Sequence, residues 1–180
     1  METVRYNAVA ARVEVASFLD LYTEVYGVEP YATDPFFSLK RYDERLHGAI
    51  AMPGFEIVAA KADGRIVGTA HGVTLPHEIA WWQSLQGTLP DHLKSAAVQG
   101  NVFWLRELMV PPAYRNKGLG KQLHDALLSE RRETLSTLTV IVDNEPARSA
   151  YLRWGYQIIG TVRHAPESPV YEAMTRARAS

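Results

Sequence analysis

Leu105-Arg106-Glu107-Leu108-Met109-Val110-Pro111-Pro112-Ala113-Tyr114-Arg115-Asn116-Lys117-Gly118-Leu119-Gly120-Lys121 is the segment around which this chain is organised. An apolar run enters a proline-marked turn, a basic loop with two glycines follows, and residues at helical spacing begin after it. Gly118 and Gly120 let the backbone come close to a ligand and take up dihedrals that other residues resist. The N–H groups of residues 116–121 would point toward the start of the next helix, where the dipole favours negative charge. Arg115, Lys117 and Lys121 add positive charge around such an anion. A P-loop does not fit, because Arg115 stands where its first glycine is required and Gln122 where its Ser/Thr would bind the metal.

Outward from this loop, Asn101 to Val110 reads as a strand and Gly118 to about Glu133 as a helix with Leu119, Leu123 and Leu127 on its inner stripe and Leu128 as a further candidate for it. Upstream, Phe55–Ala62 and Arg65–Leu75 flank Asp63-Gly64, a strong hairpin signal. Their near-continuous apolar character suits sheet interior. Before them, Thr3–Ala8 reads as a strand, Ala10–Gly27 as one helix, and Pro35 to about Ala51 as a second helix started by Asp34-Pro35. Downstream, Leu138–Val142 is a β-branched strand, Ala147–Trp154 a short helix after Asn144, and Tyr156–Arg163 and Val170–Met174 two final strands. Residues 76–100 form a polar insert with a short helix from Pro90 to Val98. Neither repeat nor linker divides this order, which predicts one mixed α/β domain over residues 1–180.

The bulk numbers agree. A chain of 180 residues, 47% hydrophobic and 22% charged, suits a single globular domain. The absence of cysteine excludes disulfides, thiolate metal sites and a cysteine nucleophile. Met1 to Arg5 lacks the features of a signal peptide, and no apolar run approaches a membrane span, so a soluble cytoplasmic protein is expected. Net charge is −1, but residues 1–103 carry 8 Lys/Arg against 12 Asp/Glu, and residues 104–180 carry 11 against 8. Neither part is basic enough for nucleic acid. The acidic first part suits a cationic partner.

The segment Arg115-Asn116-Lys117-Gly118-Leu119-Gly120 resembles the acyl-CoA-binding motif of the GCN5-related N-acetyltransferase (GNAT) family, Arg/Gln-x-x-Gly-x-Gly/Ala. A second signature begins 29 residues after Arg115: Asn144-Glu145-Pro146-Ala147-Arg148-Ser149-Ala150-Tyr151-Leu152-Arg153-Trp154-Gly155-Tyr156 is similar to the family's Asn-x-x-Ala…Tyr…x-Gly-(Phe/Tyr). The intervening length admits one helix and one strand, as the family requires. The resemblance spans about Phe55 to Met174. It implies a mixed central sheet of about seven strands, helices on both faces, and a splay between strands four and five. The pantetheine arm of acetyl-CoA would lie in the splay against the main chain of Leu108, Met109 and Val110, and one N–H there would stabilise the oxyanion. Residues Arg115, Asn116, Lys117, Gly118, Leu119, Gly120 and Lys121 would hold the pyrophosphate, and Asn144 would cap its helix and contact the arm. No metal is implied.

The same resemblance puts Tyr151 at the general-acid position, where a phenol can protonate a departing thiolate. A half-buried helix aromatic is the bland alternative. Glu107 is the general-base candidate, the single acid in the otherwise apolar and basic strand Val102–Val110. Desolvation there would raise its pKa. Its alternatives are an ion pair with Arg106 or a neighbouring strand, or a role only in binding the amine while a water chain acts as base. His71, His77, the Trp81-Trp82 pair and the loop Tyr26–Tyr31 with Glu29 are weaker candidates for the acceptor side. The expected activity is acetyl transfer from acetyl-CoA to a primary amine of a small molecule. The alternatives are a protein N-terminal or lysine acetyltransferase and a non-catalytic acyl-CoA-binding regulatory module. A homodimer is left open.

Overall fold

Asn7 ends the first strand by turning its side chain onto the chain that follows: Oδ1 accepts from the N–H groups of Val9 and Ala10, both at 3.0 Å. That cap starts α1 (Ala8–Val13), and a break at Glu14 separates it from α2 (Val15–Tyr26). The single helix expected over Ala10–Gly27 is therefore two. A computed structural model describes residues 1–29, 31–78, 84–163, 165–166 and 168–178. Trp81 and Trp82 lie outside the described residues. By compactness the chain divides into two units, residues 1–73 with 106–131 and residues 74–105 with 132–180.

In the first unit the strand order is β1-β2-β3-β5, with β1 (Glu2–Asn7), β2 (Glu56–Ala62), β3 (Arg65–Thr74) and the latter half of β5 (Val102–Met109). Both β1/β2 and β2/β3 pair antiparallel. The turn between β2 and β3 places Asp63 at φ +51° and Gly64 at φ +77°, the left-handed pair that Asp-Gly supplies to a two-residue hairpin. Helix α3 (Leu39–Ile50) is shorter than expected, because Asp34-Pro35 starts only a 3-10 turn over Pro35–Phe37 and Ser38 returns to extended backbone. Helices α2 and α3 bury Phe18, Leu21, Tyr22 and Val25 with Tyr42, Leu46, Ala49 and Ile50. The Tyr22 and Tyr42 rings stack at 3.9 Å. Helix α5 (Leu119–Ser129) seats Leu119, Leu123 and Leu127 inward. Glu56 joins three of these elements by pairing with Arg5 of β1 and, at 3.2 Å, with Arg131 just past α5.

In the second unit the order is β5-β6-β8-β7-β4, with β6 (Leu135–Ile141), β7 (Gln157–Val162), β8 (Tyr171–Ala177) and a two-residue β4 (Gln86–Gly87). β5 and β6 run parallel; the other pairs are antiparallel, so the sheet is mixed. Among the described residues the sheet has eight strands, including β4, which the polar insert concealed. Parallel pairing of β5 with β6 runs over Val102–Trp104 against Leu135–Thr137. Helix α4 (Asp91–Val98) buries Leu93, Ala96 and Ala97. Helix α6 (Glu145–Arg153) starts at Asn144, which accepts from Ala147 N–H at 3.3 Å, and buries Tyr151.

Candidate active site

The glycine loop begins where β5 ends. Pro111 stops the strand, and a 3-10 turn over Pro112–Tyr114 delivers Arg115, whose Nε donates to Val110 O at 3.0 Å. Asn116 (φ +58°) and Gly118 (φ +81°) are both left-handed. Gly118 is the N-cap of α5 and provides no side-chain cap, so the first N–H groups of α5 have no intrahelical acceptor. A Cβ built on Gly118 would meet nothing within 4 Å; the position needs glycine for its dihedrals, and the space above it is open. Lys117 Nζ donates to Ala113 O at 2.8 Å, and Lys121 pairs with Asp125 one turn along. Open N–H groups at a helix start, flanked by three cations, suit a bound phosphate or pyrophosphate.

Close packing fixes this helix start. A Cβ on Gly68 of β3 would lie 3.0 Å from a Leu123 methyl, 3.3 Å from a Leu119 methyl and 3.3 Å from Met109 O. Glycine at 68 lets α5 and the end of β5 come down on β3. Its role was hidden in the apolar run of β3.

Glu107 stands in the same unit and is half-buried. Tyr26, the last residue of α2, donates its hydroxyl proton to Oε1 of Glu107 at 2.9 Å. Burial raises the Glu107 carboxyl above its ordinary pKa; Arg45, the Tyr26 hydrogen bond and Arg106 act against that rise. Arg106 Nη1 lies 3.3 Å from Met52 Sδ, and its charge also acts on Glu107. Arg45 Nη2 donates to the Tyr22 hydroxyl at 3.3 Å, Nη1 to Phe36 O at 3.2 Å, and the guanidinium lies over the Phe36 ring. Burial first, and Glu107 second, push the Tyr22 phenol up to about 12. Tyr26, Tyr31 and Phe37 form a ring cluster, with centroids 5.2 Å apart for Tyr26–Tyr31, 5.4 Å for Tyr26–Phe37 and 4.9 Å for Tyr31–Phe37.

The weaker candidates separate. His71 is buried against Phe55, and burial, then the charges of Arg106 and Arg45, lowers its pKa to about 3, so it is neutral. His77 is largely exposed and lies 3.5 Å from Glu78. Within the second unit, Tyr151 is 9% exposed and meets Trp154 and Tyr156 edge-on at 5.4 and 5.7 Å. Arg148 turns to Glu172, with bonds of 2.7 and 3.3 Å. Sequence reasoning missed Tyr22 and Arg45, which interact electrostatically with Glu107, and Phe37, which stacks on Tyr26; the aromatic density of residues 22–42 was the available signal. Among the described residues no group of three side chains fits a metal, and no helix is long and apolar enough to cross a membrane.

A family model described as the acetyltransferase (GNAT) family matches residues 15–156. No curated protein matches the sequence. Among solved structures, a GNAT-family acetyltransferase from Streptococcus agalactiae aligns with a TM-score of 0.68 at 15% identity, over 99% of this chain and 96% of its own. An aminoglycoside 6'-acetyltransferase type Ii aligns at 0.65 and 17%, over 100% and 99%. The PaiA N-acetyltransferase from Thermoplasma acidophilum, solved in complex with coenzyme A, aligns at 0.62 and 14%, over 98% and 99%. At these identities the likeness is one of fold.

Proposed function

The chain belongs to the acetyltransferase (GNAT) family, and we propose that residues 1–180 act as one N-acetyltransferase domain that moves an acetyl group from acetyl-CoA to a primary amine of a small molecule. The observation that carries this reading is the uncapped start of α5, with Gly118 left-handed and open space above it. Its residues suit the pyrophosphate of acetyl-CoA, with Arg115, Asn116, Lys117, Gly118, Leu119, Gly120 and Lys121 as the grip. Coenzyme A is also the ligand of the PaiA structure.

On this reading acetyl-CoA supplies the thioester, and main-chain groups of Leu108, Met109 and Val110 receive its arm. Asn144 uses Oδ1 to cap α6, which leaves its amide N–H groups for the arm. Glu107 takes a proton from the incoming ammonium; burial raises its pKa, the direction that makes a carboxylate a stronger base. The amine nitrogen then forms the C–N bond at the acetyl carbonyl carbon, and an N–H of residues 108–110 steadies the oxyanion. As the C–S bond breaks, Tyr151 protonates the thiolate and regains its proton from the amine nitrogen. Half-buried aromatics around one carboxylate suit a compact acceptor.

The test is a panel of primary amines incubated with acetyl-CoA while free thiol is followed. Amine-dependent thiol release from small amines, with none from peptides bearing a free N-terminus or lysine, is expected. Release with peptides alone would favour the protein-acetylating alternative.

A further inference from the structure

We infer that Arg45, with the aromatic side chains beside Glu107, selects an acceptor amine that also carries a carboxylate and an aromatic or large apolar group. This rests on the acetyltransferase reading above and names its substrate class. All of the residues involved lie in the first unit.

Charge balance carries the inference. Arg45, Arg106 and Glu107 are each half-buried and within electrostatic reach of one another. Asp34 also reaches Tyr22, but it is exposed and occupied in capping Phe36 N–H at 2.8 Å. Both guanidinium groups act on the half-buried Glu107 carboxylate, Arg45 the more strongly. Arg45 has for partners a carbonyl, a phenol and the faces of Phe36 and Tyr42, none of them an anion. A cation held partly out of water is costly without a counter-charge. The planar guanidinium fork matches a carboxylate in two bonds, as an ammonium does not.

The same cluster opposes a polycation. A polyamine or aminoglycoside would bring several ammonium groups against the positive charges of Arg45 and Arg106 beside Glu107, a repulsion that discriminates against it. A zwitterion places its ammonium at Glu107 and its carboxylate at Arg45, and its apolar body meets Tyr26, Tyr31 and Phe37. The acidic balance of residues 1–103 therefore does not describe the neighbourhood of Glu107.

The experiment compares matched acceptors on the wild-type protein with acetyl-CoA: phenylalanine against phenethylamine, leucine against 3-methylbutylamine, and spermidine. The expected kcat/KM for each amino acid exceeds that of its decarboxylated partner by about tenfold or more, and spermidine is the poorest. In Arg45→Gln the ratio of acid to amine collapses toward one, through a higher KM for the acid, and Arg45→Lys recovers only part of it. Equal or reversed preference in the wild type overturns the inference while leaving acetyl transfer intact. Coenzyme A binding with no turnover, and no thermal stabilisation by either amino acid, also overturns it. Failure to bind coenzyme A at all instead overturns the acetyltransferase reading.

Discussion

The hydroxyl of Tyr26 donates a 2.9 Å hydrogen bond to Oε1 of Glu107, joining the end of α2 to β5 across 81 positions of chain. This bond is one of the forces that hold the carboxylate form against desolvation. Removing it in Tyr26→Phe raises the Glu107 pKa further. A general base works deprotonated, so the acidic limb of the kcat/KM profile moves to higher pH. On that limb the rate falls by roughly tenfold, the scale of one hydrogen bond to a charged group, and the alkaline plateau is kept. Glu107→Gln removes the limb and lowers kcat by about 10²–10⁴-fold. A pH–rate series on the three proteins checks both.

Tyr151 carries the second proton of the proposed cycle. Tyr151→Phe keeps the ring that meets Trp154 and Tyr156, so it keeps the fold and coenzyme A affinity. Its kcat falls by about 10²-fold or more. Undiminished transfer at every pH, with coenzyme A still bound, contradicts the assignment.

His71 gives a stability test independent of activity. Its pKa falls from 6.5 to about 3 on folding, chiefly through burial, and its Nδ1 has no hydrogen-bond partner. The unfolded chain therefore binds the proton more readily, and stability is lost as pH falls below about 6.5. In His71→Leu that loss disappears. Thermal unfolding from pH 7.5 to pH 5 should show a falling Tm in the wild type and a flatter one in the variant.

Gly68 tests the seat of α5. Gly68→Val drives side-chain atoms into Leu119, Leu123 and Met109 O, at a cost of about 1–3 kcal/mol for overpacking. Coenzyme A affinity falls with stability, because the same helix presents the glycine loop. Urea unfolding and calorimetry on one preparation measure both.

Local signals were legible where one element decides its own shape. Asp63-Gly64 announced its hairpin because only a few residues accept two left-handed dihedrals, and Gly118 announced the loop for the same reason. The inner stripe of α5 followed from helical spacing. Contacts made by tertiary packing were not legible. Nothing in Ala10–Gly27 marks the break at Glu14, and a two-residue β4 has no periodicity to read. Glu107 stood out as a lone acid in an apolar strand, but its hydrogen-bond partner Tyr26 and the nearby charge of Arg45 come from helices far away in sequence, and spacing says nothing of such pairs.

The most direct measurement is calorimetric titration of coenzyme A into the wild type and Gly118→Glu. A glutamate there must adopt φ +81° and sets a carboxylate at the helix start that would receive the pyrophosphate. Saturable 1:1 binding to the wild type, lost or weakened by at least about 100-fold in a folded Gly118→Glu, is the predicted result. No binding to the wild type, or equal binding to both, would contradict the glycine loop as the pyrophosphate grip of an acetyl-CoA site.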